Sequence, residues 1–404
     1  MSKLGTPVKL DIASEEFRMN SKEVREARDA HWYAETDWGI AVLSYEDNTH
    51  LLHSPYMGQG SAKWPRQHGV SSGQFHEWWS QNLLVLEGDD HHRIRRLVNP
   101  AFSRRKVRAM EPKFEELARE LIGSWIHRGE VDFASEFASP YATRILCMML
   151  GIDESDWHHI QELASTIGLG LGVHVGDHIA SIDAAVNELT VYAEGLITER
   201  EAAPTDDLLG TLLGANREDD RSLSRQELVN IVILLIFAGI DTTRHQLSLS
   251  IDSFQKQPDQ WDKLARHPYH YAERAVEEAL RVNPIGRWVT REATESFQHR
   301  ERWIEEGTTV HLYTLTGGTD PAEFNNPCDI DLDAERSPHF AFGGGVHHCL
   351  GHFVARTDIG VALAALAGRI TNVRVGADTD WLPDSGNTGA SYMPITFERR
   401  NSVE

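Results

Sequence analysis

The sequence predicts a mainly α (α+β) fold, a large helical body carrying small β-sheets. Three observations predict it. Apolar residues recur at helical spacing over 105–127, 184–199 and 225–253. Strand-like material is confined to a minor sheet within 1–85, a stretch from 287–291 continuing to His311, and the terminal YMPITFE at 392–398. No linker, internal repeat or low-complexity tract interrupts the 404 residues, so they read as one domain, 1–404, with 1–85 its less diagnostic part and 86–404 the helical body.

Bulk chemistry excludes several functions. A formal charge of -22 opposes general affinity for nucleic acid or anionic lipid, which carry the same sign. Cys147, Cys328 and Cys349 are the only cysteines; three form no disulfide framework and point to a reducing, cytoplasmic setting. The first twenty residues lack the apolar core of a signal peptide. The longest apolar run, IVILLIFAGI at 231–240, is about half of what a bilayer requires. It reads as a buried helix, with no membrane attachment.

Taken in chain order, 56–88, with Trp64, Trp78 and Trp79, and 164–178, rich in glycine, read as irregular. Such segments suit either mobile lids over an apolar pocket or ordinary surface loops. The stretch HHRIRRLVNPAFSRRKVR at 91–108 holds Arg93, Arg95, Arg96, Arg104, Arg105, Lys106 and Arg108 and no acid. In so acidic a chain it is either a solvated basic face or a site for an anionic counterpart. EAAPTDD at 201–207 and GANREDDRS at 214–222 read as loops.

AGIDTTR at 238–244 lies inside the long apolar helix. Gly239 and two threonines are poor helix formers. The Thr242 and Thr243 hydroxyls can bond the carbonyls of Ala238 and Gly239 and open a bulge. Asp241 is an acid in apolar surroundings, expensive unless paired or solvated, and so a candidate proton relay. A kinked core helix fits the same letters. Farther on, EEALR sets Glu278 and Arg281 at i, i+3, which by itself means a surface ion pair.

FGGGVHHCLGHFVAR at 342–356 places Gly343, Gly344 and Gly345 before Cys349 at the mouth of a helix running to about Gly368. Backbone amides and the positive helix end favour a thiolate there, and a thiolate suits haem iron as axial ligand. A phosphate-cradling loop would need a following Lys and Ser or Thr, which are absent. A zinc site drawn from His347, His348, Cys349 and His352 has no C-x-x-C partner. A structural free cysteine is the remaining alternative.

Phe342, Gly343, Gly345, His347, Cys349 and Gly351 together, as F-G-x-G-x-H-x-C-x-G, resemble the haem-ligand loop of the cytochrome P450 superfamily in its soluble bacterial form. AGIDTTR, EEALR, DDLLGTLL, SRQELV, DPAEFNNP and SPHFAFG follow that family's order, so the resemblance covers roughly 86–400. It implies the cytochrome P450 fold, with Cys349 as axial thiolate on haem b and Phe342 beside it. It further implies propionate contacts from His91, Arg95, Arg291 and His347, and a haem-facing Ala238. Asp241 and Thr242 would deliver protons during dioxygen activation, and Glu278 and Arg281 would form a buried structural pair. The implied reaction is monooxygenation of a small, largely apolar or aromatic molecule, most simply hydroxylation, in secondary metabolism or catabolism. Ring coupling, desaturation or nitration, or a sensor or electron carrier without oxygen insertion, are the alternatives. Electrons would come from NAD(P)H through a ferredoxin or flavodoxin docked on the basic proximal face. By the same resemblance, the substrate walls are Trp78, Leu234, Phe237, Arg287, Trp288 and Ala390, and Arg287 and Trp288 predict a substrate with an aromatic ring or a carboxylate. Two departures stand out: GGTDP at 317–321 replaces a common Asn-Arg-Asp-Pro, and EGDDHH replaces a common Asp-Pro-Pro.

Overall fold

The computed structural model describes residues 6–14, 16–217, 223–384 and 387–400. Its centre is the helix Arg225–Phe254. Ser224 starts it through a reciprocal cap, its hydroxyl accepting from Glu227 N at 3.2 Å while its own amide donates to Glu227 Oε2 at 2.7 Å. Length and composition alone would let this helix cross a membrane, but every residue from Leu228 to Phe237 is buried among other helices. Ser139–Leu150, Trp157–Gly168, Val175–Ala202 and Pro268–Val282 pack around it. A second layer sets His352–Ala367 between Arg104–Trp125 and Pro268–Val282.

The helices predicted over 105–127 and 225–253 occupy Arg104–Trp125 and Arg225–Phe254. The one predicted over 184–199 is longer, Val175–Ala202. Residues 214–217 of the expected 214–222 loop finish the helix Leu208–Arg217, and 218–222 lie outside the described residues.

The segments read as irregular are mostly ordered. The helix Trp157–Gly168 and a single turn, Leu169–Leu171, leave only 172–174 between them and the next helix. Within 56–88 the chain forms the strand Met57–Gln59 and the helix Gln74–Gln81. Trp64, Trp78 and Trp79 are buried, and their indole N–H groups donate to the carbonyls of Gly170, Asn230 and Ser61 at 3.0, 3.4 and 2.9 Å. A buried indole whose N–H is satisfied behaves as core. These tryptophans therefore fasten the segment down.

Strand content exceeds the sequence expectation. A five-stranded sheet runs Tyr33–Thr36, Gly39–Val42, Thr309–Tyr313, Trp288–Ala293, Met57–Gln59, parallel only between the second and third members. Trp288 lies opposite Tyr313, and Arg291 lies opposite Val310 and Gln59. The terminal strand Pro394–Arg399 pairs with Glu130–Asp132 and Ile370–Val375. Short strands of two to four residues carry little periodic signal, which is why most of these partners escape sequence reading.

Glu278 and Arg281 pair as the resemblance implies. Arg281 is 1% exposed and donates to Glu278 at 2.7 and 2.9 Å, and to the carbonyls of Gly318, Pro327 and Asp329. The pair thus ties its helix to the segment leading into the cysteine loop.

Candidate active site

The cysteine loop is shaped by its glycines. Gly343 and Gly345 adopt φ of +63° and +67°, where a Cβ is strained. A Cβ on Gly344 would stand 2.7 Å from Leu52. The tight path lets Cys349 N donate to Phe342 O at 2.9 Å and Gly343 N to Phe340 O at 2.8 Å. The sulfur accepts the Gly351 amide and has the Arg95 and Arg356 guanidinium groups nearby. These favour a thiolate, as expected, yet burial outweighs them and pushes the free thiol up. Arg356 stacks on Phe342, 4.4 Å from the ring centroid, and donates to Glu277 at 2.6 and 3.2 Å. Phe342 is thereby fixed beside the sulfur.

Four groups assigned to an anionic partner cluster on one side. The His91 and His347 rings lie 4.2 Å apart. Both His91 nitrogens and His347 Nε2 are buried without a hydrogen-bond partner. Burial, with His347 alongside, pushes His91 down to about 4. Arg291 is 5% exposed and donates only to the carbonyls of Thr290 and Gly344, at 3.0 and 3.2 Å. Burial pushes Arg291 down to about 10, with the nearby Glu87 charge opposing it only in part. Arg95 donates to Asn99 Oδ1 and the His348 carbonyl. Sequence reasoning missed Glu87, whose carboxylate stands 3.6 Å from His347 Nε2.

Within the central helix, the chain turns half-exposed at Ala238, Gly239 and Thr242. Thr242 Oγ1 donates to Ala238 O at 2.6 Å, as expected. Thr243 instead meets the buried Asp358 carboxyl on His352–Ala367. With only one such bond, the helix stays α-helical throughout, and the expected bulge is absent. A Cβ on Gly239 would press Leu146 at 2.8 Å, so that glycine serves helix packing.

Asp241 is 2% exposed and caged. Arg244 donates to its Oδ1 at 3.1 and 2.6 Å, Asn387 donates to Oδ2, and His245 Nε2 lies 3.4 Å from Oδ1. Gly168 backs it, and a Cβ there would stand 2.9 Å from all three carboxylate atoms. Against the cost of burial, Arg244 and His245 hold the carboxyl well below the usual range. Arg244 closes the AGIDTTR motif and His245 follows it, at i+3 and i+4 from Asp241, a helical spacing that could have found them; Asn387, 146 positions on, left no signal.

Of the predicted walls, Trp78 and Phe237 meet edge to face at 6.1 Å, and Leu234, Trp288 and Ala390 are buried. Arg287 departs from its assignment. It is 6% exposed, bonded to Asp384 at 2.8 Å, Asn283 Oδ1 at 2.9 Å and the Pro284 carbonyl at 3.0 Å. A guanidinium so committed is a poor receptor for an acidic ligand, so the carboxylate half of the substrate expectation loses its basis. Among the described residues, no group of three or more His, Cys, Asp or Glu is arranged to hold a metal ion, against the zinc reading.

A helical body with small sheets, a glycine-shaped loop presenting one sulfur, and a buried arginine and unpartnered imidazoles packed around that loop fit the class of haem-thiolate proteins. The sequence model of the family Cytochrome P450 matches residues 175–369. Luteothin monooxygenase of Streptomyces thioluteus is 31% identical over 391 residues, covering 96% of this chain and 95% of the relative. 6-Deoxyerythronolide B hydroxylase of Saccharopolyspora erythraea is 29% identical over 80% and 79% of the two chains. The crystal structure of P450BioI in complex with an acyl carrier protein bearing hexadec-9Z-enoic acid superposes with a TM-score of 0.84 at 25% identity, covering 93% and 97%. The chain belongs to the cytochrome P450 family, with bacterial relatives, and is a cytochrome P450 monooxygenase.

The family implies haem, dioxygen, electrons from redox partners and a small-molecule substrate. The residues fit haem: a buried arginine bound only to backbone carbonyls and orphaned imidazole nitrogens suit its propionates.

Proposed function

We propose that this monooxygenase oxidises, most simply by hydroxylation, a small, largely apolar or aromatic molecule of secondary metabolism, with Cys349 as axial ligand. Haem bound there would supply dioxygen activation. The buried Arg291, bound only to backbone carbonyls, one of them Gly344 O in the loop that ends in Cys349, carries this reading. Arg95, His91, His347 and Arg291 would hold the haem propionates, and Phe342, Gly343 and Gly351 would frame the sulfur.

Thr242 and Asp241 manage protons. Thr242 Oγ1 is already anchored on Ala238 O. Asp241 faces its cage, so passing a proton requires one oxygen to leave Asn387 or Arg244. Trp78, Leu234, Phe237, Trp288 and Ala390 give the pocket its apolar character.

Arg104, Arg105 and Arg108 are exposed at the start of Arg104–Trp125. They suit an acidic ferredoxin or flavodoxin drawing on NAD(P)H. Arg93 is not available to it, being paired with Glu227 and Asp90. The P450BioI complex carries an acyl carrier protein, a partner of another kind. Three unpaired cysteines support a cytoplasmic setting.

The test is the difference spectrum of the reduced carbonyl complex. The native protein should show the long-wavelength Soret band of a thiolate ligand, and Cys349→Ser should lose it. An unchanged spectrum after that substitution rejects the reading.

A further inference from the structure

A seam of rings lies beside the proposed substrate wall and has no assigned role. The Trp64 ring lies 4.0 Å from His68 and 6.2 Å from Trp288. Trp38 covers His68 at 4.5 Å. Trp288 in turn lies 5.3 Å from His311 and 5.8 Å from Tyr313. The seam thus joins the turn after the short helix Trp64–Gln67 to two strands of the five-stranded sheet.

Its polar atoms are unsatisfied. His68 Nε2, His311 Nε2 and Tyr313 Oη are buried without a hydrogen-bond partner. Leaving a buried polar group unpaired destabilises the fold. Several in one seam therefore call for partners from outside the chain. The same signature marks His91 and His347, where the proposed haem propionates belong.

The tautomer of His68 narrows the chemistry. Its Nδ1 lies 2.9 Å from the Trp64 carbonyl, which only accepts. Nδ1 therefore carries the proton, and in the neutral ring Nε2 is an acceptor. Burial lowers His68 and takes His311 down to about 3, so both rings are uncharged at neutral pH. Arg287, the cation nearest in sequence to Trp288, is spent on Asp384. The missing partner of His68 must then be a donor, and the seam favours one without charge.

We propose that the Trp64–His68–Trp288–His311–Tyr313 seam is a substrate subsite for a flat, uncharged aromatic ring bearing an O–H or N–H donor, received by His68 Nε2. Seating a ring between Trp64 and Trp288 requires the Trp64 indole to leave the Gly170 carbonyl and its four-residue helix to shift, so ligand binding has to offset the loss of that anchor. The subsite deepens the proposed function by naming the ligand class of the same pocket.

The test is equilibrium dialysis at neutral pH with four probes: 2-naphthol, which donates; 2-methoxynaphthalene, which only accepts; naphthalene; and 2-naphthoate, which is charged. The native protein should hold 2-naphthol about tenfold more tightly than 2-methoxynaphthalene. His68→Phe should erase that preference while leaving naphthalene within about twofold. In ¹⁵N-histidine-labelled native protein, the His68 Nε2 resonance should move with 2-naphthol and not with 2-methoxynaphthalene; this measurement decides the matter if the variant misfolds. Equal binding of 2-naphthol and 2-methoxynaphthalene, a preference surviving in His68→Phe, strongest binding of 2-naphthoate, or a His68 Nε2 resonance that does not move with 2-naphthol would each overturn the proposal. Dialysis does not depend on the haem ligand. A native protein lacking the carbonyl band but keeping the naphthol preference would sink the functional reading alone, and the converse would sink only the subsite.

Discussion

Two acid–arginine pairs stand at the same i, i+3 spacing and serve opposite ends. In Glu278–Arg281 the cation reaches outward to three backbone carbonyls and fixes a loop that has no helix of its own. In Asp241–Arg244 the acid is the hub, gathering Arg244, His245 and Asn387 against Gly168. Backbone partners make a permanent joint; side-chain partners, two on the same helix and one from a distant segment, make one that opens by rotamer exchange. The first pair ties down the segment leading into the cysteine loop, and on the proposed reading the second restrains a group that has to move.

The sharpest way to break that contrast is Arg281→Ala. It strands three carbonyls and takes from buried Glu278 its two-pronged partner, leaving only Arg336 at 3.4 Å and the Asp331 amide at 2.9 Å, and should cost about 3–5 kcal/mol, read as a fall in the denaturant midpoint at unchanged slope. If the cost equals that of Arg244→Ala, the two pairs are equivalent and the contrast fails. Next, Asp241→Asn should lower product formation roughly 10²-fold while the fold holds by circular dichroism. Arg244→Ala should cost about 2 kcal/mol, less than the first because Asn387 and His245 remain on Asp241.

The pH dependence separates the pairs further. Asp241 sits below its unfolded value of about 3.9. A depressed acid adds stability that is complete above the unfolded value and is lost as pH falls. The difference in unfolding free energy between native protein and Asp241→Asn should therefore stay level from about pH 8 to about pH 5 and shrink below about pH 4. A difference that grew on acidification would contradict the charged cage. The smallest effect belongs to Thr242→Ala, within about 0.5 kcal/mol in stability, visible mainly as peroxide released per electron pair consumed.

Sequence legibility followed the range of each interaction. The cysteine loop was readable because Phe342, its glycines and Cys349 are neighbours whose bonds close within eight residues. The central helix was readable from its apolar run and its Ser224–Glu227 cap. Asp384, the partner that takes Arg287 out of substrate contact, is 97 residues away, and Asn387 is 146 from Asp241. Pairings at such distances have no periodicity and no motif. Likewise Trp64, Trp78 and Trp79 resembled a loose lid because the carbonyls that receive their N–H groups are set by tertiary packing.

Gly168 carries a consequence of its own. Because the helix ends with bare backbone directly behind Asp241, that position works as a shim whose thickness the genetic code can vary. One methyl group inserted there would wedge the carboxylate off its seat without altering any charge, and a hydroxymethyl would add a competing donor. A graded series at this one site would turn the hub's tightness into an adjustable quantity, independent of the groups that grip it.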